Sequence, residues 1–167
     1  MAVPSFSPGS APTAAATAPV IDSTTILSLL TTVIFLIAGL TLANILLPAK
    51  SSLTIKALFT WHLFDALTHL IIEGSYLYHC FSSSIPGVST NGFLGNPNAI
   101  YGPVAGKDFF ANLWLEYAKA DHRWASADLT VVGLELLTVF IGGPMALGIC
   151  EGLRRGAKQK KNNKKIQ

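Results

Sequence analysis

Three long apolar stretches alternate with polar ones along the chain. The first, residues 24–47, has no charged residue over 24 positions. A hydrocarbon core of about 30 Å is crossed by about 20 helical residues, so this stretch predicts a membrane-spanning helix. The second, residues 57–81, and the third, residues 128–150, are also apolar but carry ionisable residues within them. We therefore predict an all-α fold: a polytopic membrane helix bundle with three spans.

The polar segment between the second and third predicted spans has two parts. Residues 82–106 are dense in Gly, Pro, Ser and Asn, which predicts no regular element. In residues 108–124, Phe109, Leu113 and Tyr117 recur at near-helical spacing with charged residues between them. This pattern predicts an amphipathic helix at the membrane interface.

Composition supports a membrane protein and excludes a nucleic-acid-binding face. Only 13% of the residues are charged, against roughly 25% in soluble domains. The pI is about 9.0, but seven of the twelve basic residues lie within residues 154–165. We therefore interpret residues 151–167 as a basic tail. Residues 1–23, rich in Pro, Ala, Ser and Thr, predict a disordered N-terminal arm.

The distribution of basic residues predicts the orientation in the membrane. Residues 48–56 and the tail together carry nine basic residues, whereas residues 82–127 carry three. Because basic residues favour the cytoplasmic side, we place the link and the tail in the cytoplasm and residues 82–127 in the lumen with the N-terminal arm. Cys80 and Cys150 then end spans on opposite faces, so we do not expect them to pair.

Polar residues inside the spans fall on single helix faces. At 100° per residue, one face of the second span holds His62, Asp65, His69, Glu73 and Tyr76. One face of the third span holds Asp128, Glu135, Thr138 and Gly142. A carboxylate at mid-span costs about 2.5 to 3.5 kcal/mol. We therefore expect both faces to line one pocket, in which His69, Glu73 and Glu135 meet.

Other interpretations of these polar residues remain open at this point. Thr138, Tyr76 and His62 could equally join helices through hydrogen bonds worth about 0.6 kcal/mol each. The i, i+3, i+4 spacing also occurs in bundle metal sites, but with only four histidines we expect no metal. An apolar pocket favours the neutral form of one carboxyl group, while a second, ionised carboxylate can stabilise a cation. This combination suits protonation and deprotonation of a carbon–carbon double bond in a lipid-like substrate.

Three ordered segments carry a resemblance to a known family. They are FDALTHLIIEG (residues 64–74), LWLEYAKADHRW (residues 113–124) and VGLELLT with the following GGP (residues 132–144). They resemble the emopamil-binding protein family, sterol delta-8 to delta-7 isomerases of the endoplasmic reticulum that share the EXPERA domain. The resemblance covers residues 24–150, which we expect to form an EXPERA-like transmembrane domain. Ala120 and Trp124 stand where the family often has Gly and Tyr.

The resemblance implies an activity and the residues that perform it. The reaction protonates the delta-8 alkene, passes through a carbocation at C8 and loses a proton from C7, without a redox cofactor or a metal. The implied catalytic residues are His69, Glu73, Glu135 and Thr138. The residues that we expect to bind the substrate are Asp65, Tyr76, Trp114, Tyr117, Asp121 and Arg123.

Two functions from different classes follow from this resemblance. The first is an isomerase of sterol biosynthesis in the endoplasmic reticulum membrane, which binds a sterol or a cationic amphiphile. The alternative is a non-catalytic sterol-binding EXPERA protein resembling the sigma-2 receptor; a small structural membrane subunit is a third interpretation. We expect membrane lipid and a second copy of the chain as partners, and no nucleic acid.

The end of the chain differs from the family pattern. The resemblance implies five spans, whereas this chain turns basic after three, so we expect a truncated or degenerate member that binds ligand weakly and without turnover. Lys164 and Lys165 resemble a dilysine retrieval signal, although a solvated tail, or one that faces anionic lipid, is the alternative.

Overall fold

The computed structural model describes Ile21, residues 23–89 and residues 91–166. The predicted disordered arm, residues 1–23, therefore lies outside the described residues except for Ile21 and Ser23. Within the described residues, three helices are long and apolar enough to span a membrane: Ser23–Leu46, Leu53–Ser82 and Leu129–Asn163. The prediction of an all-α membrane bundle with three spans is confirmed.

The first long helix, α1 (Ser23–Leu46), packs closely against the second at a glycine. A Cβ added at Gly39 would lie 3.0 Å from the backbone oxygen of Thr60, so only glycine allows the two backbones to approach this closely. Apart from Gly39 and Ala43, the side chains of α1 are not buried within the chain. Most of α1 is therefore available to lipid.

The second long helix consists of three consecutive segments. It begins with α2 (Leu53–Leu67), where the Ser52 hydroxyl accepts a hydrogen bond from the Ile55 backbone N–H. A π-helical segment, Thr68–Glu73, follows, and α3 (Gly74–Ser82) completes the helix. The helix begins four residues earlier than the hydrophobic pattern predicts, because the Ser52 cap lies before the apolar run.

The segment between the second and third helices contains regular structure, so the prediction for residues 82–106 is wrong. Strands β1 (Ser84–Pro86) and β2 (Ala99–Tyr101) pair antiparallel, with Ser84 opposite Tyr101. One short 3₁₀ turn, Phe93–Gly95, lies between the two strands, and another, Pro103–Ala105, follows β2. Strands of three residues are too short to produce a readable alternation of apolar and polar positions, which is why the sequence pattern missed them.

The predicted amphipathic helix exists but is shorter and faces differently. Helix α4 (Phe109–Ala118) begins at the N-cap Asp108, and a 3₁₀ turn at His122–Ala125 follows it. Its buried residues are Ala111, Leu113 and Trp114. Phe109 and Tyr117, which the spacing grouped with Leu113, are 40% and 47% exposed.

The third long helix runs without interruption from the membrane into the basic segment. It consists of α5 (Leu129–Leu137), a π-helical segment (Thr138–Gly142) and α6 (Gly143–Ile166). The helix does not end at Cys150, where the predicted span ends, because the Lys and Arg residues that follow are good helix formers. The π-helical segment ends immediately before Gly143 and Pro144.

Two apolar clusters fill the interior of the bundle. The loop-side cluster includes Tyr76, Cys80, Leu113, Trp114 and Val131, and the link-side cluster comprises Ala43, Leu47, Phe59, Leu63 and Cys150. Both cysteines are buried, and they form no disulfide. Along the second helix, the buried residues of the link-side cluster end at Leu63, and those of the loop-side cluster begin at Ile72. Polar side chains therefore lie at the boundary between the clusters.

Candidate functional site

Four polar side chains from the second and third helices meet at this boundary. His69 Nδ1 lies 2.6 Å from Glu73 Oε2. The Thr138 hydroxyl donates to the same carboxylate oxygen at 2.5 Å. Glu135 is buried, and its Oε2 lies 3.5 Å from the Thr138 hydroxyl. The structure thus brings together the four residues to which the sequence assigned catalysis.

The two π-helical segments face each other at this site. A π-helical turn holds one more residue than an α-helical turn, and such turns are frequent at functional sites. A Cβ added at Gly142 would lie 3.4 Å from the His69 ring, and one at Gly143 would lie 2.9 Å from the Leu70 side chain. The two glycines therefore allow the third helix to approach the imidazole directly.

Asp65 adds one more polar side chain next to His69, one turn earlier on the second helix. Its Oδ1 lies 3.4 Å from His69 Nε2, so the imidazole lies between one carboxylate at i−4 and another at i+4. An imidazolium ring has two N–H donors and would find an acceptor at each end. The side chain of Asp65 is 39% exposed, whereas that of Glu73 is 17% exposed. Asp65 is therefore the outer member of a chain of groups that can exchange protons.

Tyr76 and Trp114 lie apart from the four-residue cluster, so the face that Tyr76 was predicted to share with Glu73 is wrong, whereas the predicted contact of both residues with substrate stays a prediction. The Tyr76 hydroxyl donates to the backbone oxygen of Ser126 at 2.8 Å, and its ring lies 5.1 Å from the Trp114 ring. Trp114 Nε1 donates to the Ser75 hydroxyl at 3.0 Å. The extra residue in the π-helical segment turns the following residues by about 100°, which removes Tyr76 from the face it would share with Glu73.

Tyr117, Asp121 and Arg123 lie on the outer surface of the loop-side segment. Arg123 Nη2 lies 2.6 Å from Asp121 Oδ2. The hydrogen bond from the Arg123 side chain lowers the pKa of Asp121 to about 2, and the carboxylate in turn raises the pKa of Arg123. Within the described residues, none of the three forms a hydrogen bond or ion pair with the four-residue cluster. Their predicted contact with substrate stays a prediction.

His79 has a structural role that the sequence did not indicate. The ring is buried: Nε2 lies 3.3 Å from Asp108 Oδ1, and Nδ1 lies 3.2 Å from the Ser83 hydroxyl. Asp108 also accepts from the Ala111 N–H, and this hydrogen bond, with the nearby His79, lowers its pKa. His79 thus joins the end of α3 to the start of α4. The N-cap residue Asp108 indicates where α4 begins but not its contact with His79.

Glu116 makes a second structural contact that the sequence analysis missed. Its carboxylate accepts a hydrogen bond from the Thr25 hydroxyl at 2.5 Å and lies 2.6 Å from Lys119 Nζ. Glu116 therefore connects α4 to the first turn of α1. No sequence signal pairs residues that lie 91 positions apart.

Comparison with known proteins identifies relatives. No family model and no solved structure matches the chain. A probable 3-beta-hydroxysteroid-Delta(8),Delta(7)-isomerase of Oryza sativa subsp. japonica is 30% identical over 118 residues, 71% of this chain and 45% of the relative. A protein of Arabidopsis thaliana with the same name is 33% identical over 92 residues, 55% of this chain and 33% of the relative. Protoglabretal synthase of Ailanthus altissima is 33% identical over 107 residues, 64% of this chain and 40% of the relative.

The chain spans less than half the length of each of these relatives. The aligned part nevertheless covers more than half of the chain itself in each case. Over part of its length the chain thus has homologues named 3-beta-hydroxysteroid-Delta(8),Delta(7)-isomerase, which are members of the emopamil-binding protein family, and three of its helices are long and apolar enough to span a membrane.

Proposed function

We propose that His69, Glu73, Thr138 and Glu135 form the acid–base site of a sterol double-bond isomerase. The observation that carries the proposal is the hydrogen-bonded contact of an imidazole, a hydroxyl and two carboxyl groups near the middle of two membrane spans. Carboxylates at this depth are too costly to be kept for helix packing alone. The relatives named Delta(8),Delta(7)-isomerases support the same chemistry.

The proposed reaction transfers one proton onto the sterol and removes another. The His69–Glu73 pair donates a proton to the delta-8 alkene, whose π electrons form the new C–H bond and leave a carbocation at C8. A base then removes a proton from C7, and the electrons of that C–H bond form the new double bond. No proton or electron is consumed overall, so the reaction needs no redox cofactor.

Glu135 is the group best placed to face the positive charge. Its side chain is 3% exposed, so an ionised carboxylate there interacts with a cation through little water. The Thr138 hydroxyl lies between Glu135 and Glu73 and fixes their separation. Glu135 can therefore stabilise the carbocation or accept the C7 proton, while Glu73 and His69 serve as the acid.

We propose that Asp65 supplies protons to His69 rather than contacting the substrate. It touches Nε2, the ring nitrogen on the opposite side from Glu73. After each proton donation, transfer through the imidazole would restore the acid form of the pair. Replacement of Asp65 with Asn would then slow turnover more than it weakens sterol binding.

The proposal is tested by isotope incorporation in the 167-residue chain. Microsomes from yeast that lack their own delta-8 to delta-7 isomerase are supplied with a delta-8 sterol in deuterated water. In contrast to the weak binding without turnover expected above, the assembled four-residue site leads us to expect a delta-7 product with one deuterium at the protonated carbon, which Glu73→Gln abolishes. Glu151→Gln is the matched control, because Glu151 lies on the same bundle and pairs only with Arg154 and Arg155 among the described residues.

The alternatives predict different outcomes of the same experiment. Sterol binding without any delta-7 product would favour the non-catalytic sterol-binding function. A product that is formed without deuterium, or formed equally by Glu73→Gln, would contradict the proposed acid. We further propose the endoplasmic reticulum membrane as the location, which microscopy of the tagged chain against a reticulum marker would test.

A further inference from the structure

The first part of the basic segment after Cys150 packs against the bundle, and the last part extends beyond the bundle. Leu153 and Ala157 still pack against the link-side cluster, together with Ile55 in the first turn of α2. The residues from Lys158 to Asn163 are all exposed, although α6 continues through them. Ala157 therefore marks the level at which the third helix emerges from the bundle.

The charges on this helix divide into a neutralised group and an unpaired group. Arg154 Nε and Arg155 Nε each lie 2.6 Å from a carboxylate oxygen of Glu151. Lys158, Lys160 and Lys161, here called the tail lysines, have no ion-pair partner within the described residues. The unpaired positive charge therefore begins immediately after the helix leaves the bundle.

We place the headgroups at the level where the third helix leaves the bundle, which puts the tail lysines within reach of them. At about 1.5 Å per residue, Lys161 is only about 6 Å beyond Ala157 along the helix axis. The headgroup layer is about 5 to 8 Å thick on each side of the hydrocarbon core. Since the Debye length is about 8 Å at physiological ionic strength, all three ammonium groups act on charges in that layer with little screening.

The position of the lysines next to the membrane bundle favours lipid as their ligand. At 100° per residue, Lys160 and Lys161 point about 200° and 300° away from Lys158, so the three side chains lie within an arc of about 160°. Anionic headgroups are present along the whole of that arc where the helix leaves the bundle, and the three ammonium groups supply the complementary charge. Lys50 in the link and Lys56 in the first turn of α2 lie at the same end of the bundle and add to the positive charge there.

We propose that the tail lysines bind the phosphate groups of anionic phospholipids in the leaflet at the link end of the bundle. A cluster of basic residues immediately beyond a membrane helix attracts such lipids, and each Lys near the surface strengthens the association about fivefold. The proposal does not depend on isomerase activity. It gives the basic segment a binding role that is separate from any retrieval signal.

Lipid selectivity of the purified chain tests the proposal. The full chain is reconstituted in phosphatidylcholine vesicles that contain spin-labelled phosphatidylserine or spin-labelled phosphatidylcholine, and the immobilised fraction of each label is measured. We expect a several-fold preference for phosphatidylserine. The triple variant Lys158→Gln, Lys160→Gln, Lys161→Gln should lose most of this preference, and the corresponding Lys→Arg triple variant should keep it.

The matched control uses the uncharged residues between and next to the lysines. Substituting Gln159, Asn162 and Asn163 with Ala changes the same stretch of helix without changing its charge, so the preference should stay unchanged. For the unmodified chain, 1 M salt shortens the Debye length to about 3 Å and should abolish the preference. A preference that survives the Lys→Gln substitutions or 1 M salt, or its absence in the unmodified chain, would overturn the proposal.

Discussion

Replacing Thr138 with Val tests whether its hydroxyl couples the two helices that build the site. The hydroxyl donates to Glu73 Oε2 at 2.5 Å across the helix interface. Valine has nearly the same shape but no donor, so the substitution removes this hydrogen bond and leaves the apolar contacts in place. The Glu73→Met substitution, which removes the acceptor, alone and combined with Thr138→Val, completes a double-mutant cycle.

The expected coupling free energy between Thr138 and Glu73 depends on the location of their contact between membrane helices. A hydrogen bond to a charged group contributes about 1.5 to 3 kcal/mol in water-soluble proteins. Between membrane helices such couplings average about 0.6 kcal/mol and reach about 1.7 kcal/mol, because separated helices in the membrane find other partners. The Thr138–Glu73 contact is short, which places it near the upper limit, at about 1 to 1.7 kcal/mol. Without Glu73, the hydroxyl can use the Glu135 backbone oxygen at 3.2 Å, so Thr138→Val costs less in that background.

Reversible unfolding by sodium dodecyl sulfate in mixed micelles measures the cycle. The signal is the fluorescence of Trp114 and Trp124, whose rings stack at 4.9 Å in the loop-side cluster. Thr31→Val is the control, because among the described residues its hydroxyl bonds only to the Leu27 carbonyl oxygen within α1, and its effect should add to that of Glu73→Met. A Thr138–Glu73 coupling below about 0.3 kcal/mol, the usual error of additivity, would refute the contact.

Three further perturbations have definite expected outcomes. Gly39→Ala should lower the free energy of unfolding by about 1 to 3 kcal/mol, because its Cβ meets a backbone oxygen at 3.0 Å; Gly148→Ala, with nothing within 4 Å, should be neutral or stabilising in the same detergent titration. The folded-state pKa of Asp121, about 2, lies below its ordinary 3.8, so the stability it contributes is present above pH 4 and lost as the pH falls through 2. Hydrogen exchange in the 3₁₀ turn should show this loss, and Asp121→Asn should remove its pH dependence. A lipophilic ammonium ion should bind the chain and bind more weakly to Glu135→Gln; equal displacement curves would contradict a cation site.

Hydrophobic runs predicted the three spanning helices because an apolar helix in lipid needs only length and the absence of charge. Helical periodicity also placed His69 with Glu73, and Glu135 with Thr138, and these four side chains are in contact in the structure. The two residues of each pair are at most four positions apart. Over so short a distance, an irregular turn still leaves both residues on the same face of the helix. Short-range periodicity was therefore sufficient for the centre of the site.

The same reasoning was wrong for Tyr76, which lies beyond the π-helical segment. An extra residue in one turn leaves no mark in the hydrophobic pattern, yet it rotates everything after it. The loop-side contacts of His79 and Glu116 were missed for another reason, since each joins elements that are distant in sequence. Tertiary contacts of this kind depend on how the helices are placed, which one sequence does not state.

Each apolar cluster contains one buried thiol: Cys80 in the loop-side cluster and Cys150 in the link-side cluster. A small alkylating reagent reaches a buried thiol only when the packing around it opens, so its rate of modification reports the free energy of that local opening. The polar layer that contains His69 and Glu73 separates the two clusters along the second helix. The Cys80→Ser and Cys150→Ser variants each retain one thiol. Their alkylation rates therefore report the free energy of local opening separately for each half of the bundle.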